Sequence, residues 1–111
     1  VSETVTLVIE STDENLLDGP DNIAVASDGT LYLCEDGSSG SLGAENYSQL
    51  VVGVDSRGGL FDFVQNIIPG DTSEICGACF YTPNNRYMFV NSQGIGITYM
   101  IWRKNRTPIF L

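Results

Sequence analysis

Gly19–Gly37, GPDNIAVASDGTLYLCEDG, reads as strand, tight turn, strand, and it ends in adjacent carboxylates. Asn22–Ala26 is a short alternating apolar run, and Leu31–Cys34 is the returning strand. Between them, Asp28-Gly29 supplies the positive-φ backbone that a two-residue hairpin turn needs. Glu35 and Asp36 then sit at a strand end, beside Gly37 and a Ser/Gly-rich stretch. Acids so placed are either oxygen ligands or solvated loop charges, and the residue types alone leave both open.

The same layout returns further along. Gly77–Tyr81 is apolar, Thr82-Pro83-Asn84-Asn85 is turn chemistry, and Tyr87–Val90 is a second apolar run. Laying Asp28-Gly29 on Asn84-Asn85 gives an offset of 56 residues (84 − 28), which matches Leu31 with Tyr87, Leu33 with Phe89 and Glu35 with Asn91. Self-similarity at about 40–50 residues marks propeller blades. The period here is longer, and an insertion at Ser38–Asn46 accounts for the excess.

Eight strand-like runs follow from period and turn punctuation: Val5–Glu10, Asn22–Ala26, Leu31–Cys34, Leu50–Asp55, Leu60–Gln65, Cys76–Tyr81, Tyr87–Val90 and Ile97–Trp102. Thr12–Leu17 reads as one helical turn at most. Many short strands with Gly/Pro punctuation predict an all-β chain. The runs divide into two four-stranded antiparallel, propeller-like blades, at about residues 20–66 and 75–102. The second lacks its outer strand, and Val5–Glu10 is left to complete a blade. Two blades cannot close a ring, because blade faces are apolar and need neighbours on both sides. The expectation is therefore a fragment of a longer propeller or a homo-oligomer, three copies giving six blades. A self-contained sandwich is the competing picture.

The chain has 111 residues, and 42% of them are hydrophobic, a globular composition. Its formal net charge is −9, which argues against nucleic acid or an anionic membrane as partners and suits divalent cations. No apolar run approaches 18 residues, so no membrane-spanning helix is expected, and no leader pattern opens the sequence. Histidine is absent, which excludes histidine general-base chemistry and a Ser-His-Asp set. Cys34, Cys76 and Cys79 cannot all pair with one another. The C-x-x-C lacks a second ligand pair for zinc, and on a regular strand its two cysteines would face opposite ways. Buried, unpaired strand cysteines are the expectation. Asn46-Tyr47-Ser48 and Asn105-Arg106-Thr107 match the glycosylation sequon.

GPDNIAVASDGTLYLCEDG, GGLFDFVQN and EICGACFYTPNNRYMFVNSQGIGITYMIW, taken in order, resemble the C-terminal end of the PhoX-type phosphatases. The resemblance runs from about Val5 to Trp102. It implies a large, exported β-propeller, periplasmic or extracellular, that hydrolyses phosphomonoesters with calcium and iron at the centre of the ring. By the same resemblance Glu35 faces the central metal cluster, with Asp36 beside it or holding a second ion. Asp21 and Asn22 lie at the mouth of the first blade, Glu74 precedes the second, and Asn91 and Gln93 lie near the axis as substrate contacts. Carboxylate and amide oxygens suit Ca²⁺. By the resemblance, upstream blades supply most of the cluster, the iron-bridging cysteine included, so weak or no turnover is expected of this chain alone. The alternative is a non-catalytic propeller module with a structural or binding role.

Overall fold

The computed structural model describes residues 3–13, 16–36, 49–81 and 85–104. The Ser38–Asn46 insertion, Gly37, both sequons and the Thr82-Pro83-Asn84 part of the second turn lie outside them. Among the described residues seven strands form: β1 (Pro20–Val25), β2 (Leu31–Glu35), β3 (Leu50–Val54), β4 (Leu60–Gln65), β5 (Ile75–Tyr81), β6 (Tyr87–Ser92) and β7 (Ile97–Trp102). They make two antiparallel meanders, β1-β2-β3-β4 and β5-β6-β7. The described residues are thus all-β, but among them the second sheet has three strands rather than four. Val5–Glu10 joins no ladder; it runs past the first sheet with Val5, Leu7 and Val8 exposed. An alternating run states that a segment can pair, not that an edge lies within reach. At the place of the expected helical turn, the Asp13 carbonyl accepts from Leu16 N and Leu17 N.

The repeat holds in four rungs of each hairpin. Val25 pairs with Leu31, Ala24 with Tyr32, Ile23 with Leu33 and Pro20 with Glu35. Tyr81 pairs with Tyr87, Phe80 with Met88, Cys79 with Phe89 and Cys76 with Asn91, each residue 56 positions after its counterpart (81 − 25, 87 − 31). The difference lies in the next connection. Leu31 pairs with Val54, 23 residues on (54 − 31), whereas Tyr87 pairs with Trp102, only 15 on (102 − 87).

The hairpin turns are one residue longer than the sequence suggests. Ala26 N donates to Thr30 O, and Gly29 N to Ala26 O, which closes a three-residue loop, Ser27–Gly29. Gly29 takes the left-handed conformation at φ 91°, the bulge position of such loops. Asp55 to Gly59 repeats the design with Gly58 at φ 80°. Asn85, 56 residues after Gly29 (85 − 29), is also left-handed at φ 45°. Its side-chain amide donates to Ser27 Oγ, so the two β-hairpin turns are tied together.

Alternation fixes the core. Ala24, Ala26, Tyr32, Cys34 and Val51 face Ile75, Met88 and Val90 across the space between the sheets. Phe63 and Phe80 stand edge-on to the buried Tyr32 ring at 4.8 and 5.3 Å. Burial pushes the Tyr32 phenol up to about 12, with Asp28 adding to the rise. The opposite face of the first sheet presents Leu33, Val52 and Val54, and Leu17 and Ile9 of the N-terminal segment cover it. Among the described residues, the outer face of the second sheet has no such cover. Tyr81, Met100 and Trp102 are exposed there, Trp102 at 56%.

Between β5 and β6 the register shifts at Cys76/Cys79. Gly77 is left-handed there at φ 61°, and a Cβ on it would stand 2.6 Å from Asn91 Nδ2. This bulge overturns the expectation for the cysteines. They pair with Asn91 and Phe89, two residues apart on β6, and so share a face. All three thiols are free, but only Cys34 is buried; Cys76 is half-buried and Cys79 exposed. Burial pushes the Cys34 thiol up to about 11, opposed by the Ala78 N–H that it accepts.

Candidate metal centre

The β1–β2 ladder shifts register between Pro20 and Asn22, so Asp21 occupies a bulge. Bulges re-aim side chains at sheet ends. Asp36 follows β2 directly, and its N–H donates to Gly19 O at 3.1 Å, which holds it beside the start of β1. Glu74 immediately precedes β5, and its carbonyl accepts from Gln93 N at 3.0 Å. These three anchors come from separate parts of the sequence. They bring one carboxylate oxygen each of Asp21, Asp36 and Glu74 within 4.8 Å of one another.

The electrostatics follow from the geometry. Burial, and then the charges of Asp36 and Asp21, push the Glu74 carboxyl above its ordinary range. Cys76 stands on the same ground: burial raises its thiol, and Glu74, Asp21 and Asp36 raise it further. Asn22 partly relieves the repulsion. Its Nδ2 donates to Asp21 Oδ1 at 2.5 Å and reaches Glu74 Oε1 at 3.5 Å. An amide N–H therefore points at oxygens that a cation would take. Asp21, alone of the trio, also lines a cleft of about 600 Å³, together with Ile9, Leu17, Asp18, Asn22 and Leu33.

The remaining site residues of the sequence reading lie in other settings. Glu35 is buried at the end of β2, where Oε1 accepts from Asp18 N at 2.9 Å and Oε2 from Leu50 N at 3.1 Å. Burial raises its carboxyl, and the two backbone donors oppose that rise. Asn91 serves the β5 bulge: Nδ2 donates to Cys76 O at 3.2 Å, and Oδ1 accepts from Thr98 Oγ1 at 2.7 Å. Gln93 holds Glu74 through its main chain, while its own side chain is exposed.

As a donor set the trio is three hard carboxylate oxygens, which fits Ca²⁺ and its preference for six to eight oxygens at about 2.3–2.6 Å. The remaining positions fall to water, substrate or other segments. Iron fits less well, since the chain offers no histidine, and of the thiols that feel these acids Cys34 is buried in the core and Cys76 is half-buried.

The sequence profile of the alkaline phosphatase PhoX family matches residues 2–96. The chain belongs to that family. The match covers both hairpins, β3, β4 and all three acids of the trio, and ends one residue before β7. Comparisons with curated proteins and with solved structures return no match. Within the PhoX frame, Cys76 is the residue that sequence reasoning missed beside the acids. It lies two positions after Glu74, but the bulge that turns it to the outer face leaves little trace in sequence beyond Gly77.

Proposed function

We propose that this chain contributes one wall of a Ca²⁺-dependent phosphomonoesterase centre of the PhoX type, with Asp21, Asp36 and Glu74 as ligands. One observation carries the reading: three carboxylates from three segments converge within 4.8 Å at the expense of mutual repulsion. Unpaired like charges this close are unfavourable, and a divalent cation converts that repulsion into attraction. When bound, a cation there supplies positive charge to phosphoryl oxygens and acidifies a coordinated water. This chain's own residues would then hold and orient: the trio fixes the ion, Asn22 keeps one N–H on Asp21, and the adjoining cleft receives the organic part of the ester. Iron enters this reading only with a complete ring, as does full activity. Export to the periplasm or beyond belongs to the same proposal.

The test is a calcium titration followed by thermal unfolding. A ligand at 100 times its Kd stabilises by about 2.7 kcal/mol, an easily resolved shift. Asp36→Asn should remove the gain. No calcium-dependent shift in the unaltered chain would sink the metal reading. Turnover of p-nitrophenyl phosphate, expected weak or absent, measures catalysis separately.

A second reading has its own support in the open outer face of the second sheet, where Tyr81, Met100 and Trp102 lie exposed. In it the chain is a non-catalytic propeller module. Copies assemble side by side, and Val5–Glu10 completes the blade that lacks its outer strand. Light scattering decides this: a stable, well-folded monomer rules it out.

A further inference from the structure

We infer that Glu35 is a positioning residue, which sets the spacing of the Asp21 and Asp36 segments through two backbone amides and is not itself a ligand. The inference rests on the metal reading above only for its consequence; the clamp stands on its own geometry. Glu35 is 3% exposed, and each carboxylate oxygen accepts one backbone N–H, from Asp18 at 2.9 Å and from Leu50 at 3.1 Å. Asp18 lies three residues before Asp21, and Leu50 opens β3, on the far side of the 37–48 connection. A single side chain thus joins the approach to β1, the end of β2 and the start of β3. Asp36 N completes the join by donating to Gly19 O. Ionised carboxylates bound to backbone N–H groups form short, strong hydrogen bonds, and a buried one persists only with such partners. Removing the clamp frees the Asp18–Asp21 stretch to move relative to Asp36, so the trio loses its fixed separation. Groups that orient metal ligands from behind typically change metal affinity by about 10–100-fold.

The experiment is NMR on the full chain, with calorimetric titration of Ca²⁺ into the unaltered chain, Glu35→Gln and Asp36→Asn. In the unaltered chain, the carboxyl carbons of Asp21, Asp36 and Glu74 should shift on adding Ca²⁺ while that of Glu35 stays still. The Asp18 and Leu50 amides should exchange slowly. Glu35→Gln keeps size and one acceptor, so it should still bind Ca²⁺, about 10-fold more weakly, with faster exchange at residues 18 and 50. Asp36→Asn should lose binding while those two amides stay protected. A Glu35 carboxyl shift that tracks the trio, or Glu35→Gln that binds as tightly as the unaltered chain, overturns the inference. If the unaltered chain takes up no Ca²⁺, the metal reading fails, and amide exchange alone judges the clamp. Glu35→Gln that leaves residues 18 and 50 fully protected then refutes it. Should Glu35→Gln fail to fold, the carboxyl-shift titration or, without Ca²⁺ uptake, amide protection in the unaltered chain decides.

Discussion

Gly53→Ala should destabilise this protein, although alanine suits a strand better than glycine. Gly53 lies in the middle of β3, between Tyr32 on β2 and Phe61 on β4. A Cβ built there would stand 2.0 Å from Phe61 Cζ, at the edge of a ring that covers the glycine and stands edge-on to Tyr32 at 6.2 Å and 88°. Alanine must therefore expel the ring. Phe61 is 39% exposed and on an edge strand, so it can swing outward. The loss is then most of its burial, about 1–2 kcal/mol, plus an edge-to-face contact of about 0.5–1.5 kcal/mol. Against it stands about 0.5–1 kcal/mol from replacing a strand glycine. The net cost is about 1–2 kcal/mol, a fall in Tm of roughly 5–10 °C for a domain of this size. Urea unfolding of the unaltered chain, G53A, F61A and the double variant forms a thermodynamic cycle. Once Phe61 is gone, G53A should cost nothing further and should gain slightly. A G53A chain as stable as the parent, or a double variant whose costs simply add, would refute the steric argument.

Three more outcomes are expected. Asp71 accepts from Ser73 N and Oγ, Asn66 Nδ2 and Ser92 Oγ, and these bonds lower its carboxyl from 3.8 to about 2, that of Ser73 Oγ foremost. Its contribution is complete above pH 3.8 and should fade as pH falls toward 2, so Asp71→Asn should flatten the acid limb of a stability–pH curve between those values. Thiol reagents at neutral pH should modify exposed Cys79 first and leave Cys34 untouched until unfolding, because its thiol is buried and raised to about 11; early labelling of Cys34, read by peptide mass, would contradict the core. Trp102→Glu, at the open face of the second sheet, should convert any self-assembled species to monomer by light scattering and leave the fold intact by circular dichroism.

The strands were legible because their evidence is local. Leu60–Gln65 and Ile97–Trp102 are bounded as the alternation and turns suggest, and the 56-residue offset reappears in the rungs Val25–Leu31 and Tyr81–Tyr87. What sequence could not show is partnership across distance. Val5–Glu10 alternates like a strand yet finds no edge among the described residues. Glu35 carries the same chemistry as Asp36, but burial and the amides of Asp18 and Leu50 give it a different setting. Convergence of Asp21 and Asp36 with Glu74 depends on how the two sheets meet, and no spacing in the chain encodes that. The cysteine faces were misread for a smaller reason, one extra residue at Gly77.

The unequal second connections carry a practical consequence. Two copies of one ladder tolerate an eight-residue difference in chain length at the same place (23 − 15) while keeping their inner rungs in step. The short span between Ser92 and Ile97 is therefore a natural graft point, where an epitope or reporter peptide could be spliced in without slipping the pairing of β6 with β7.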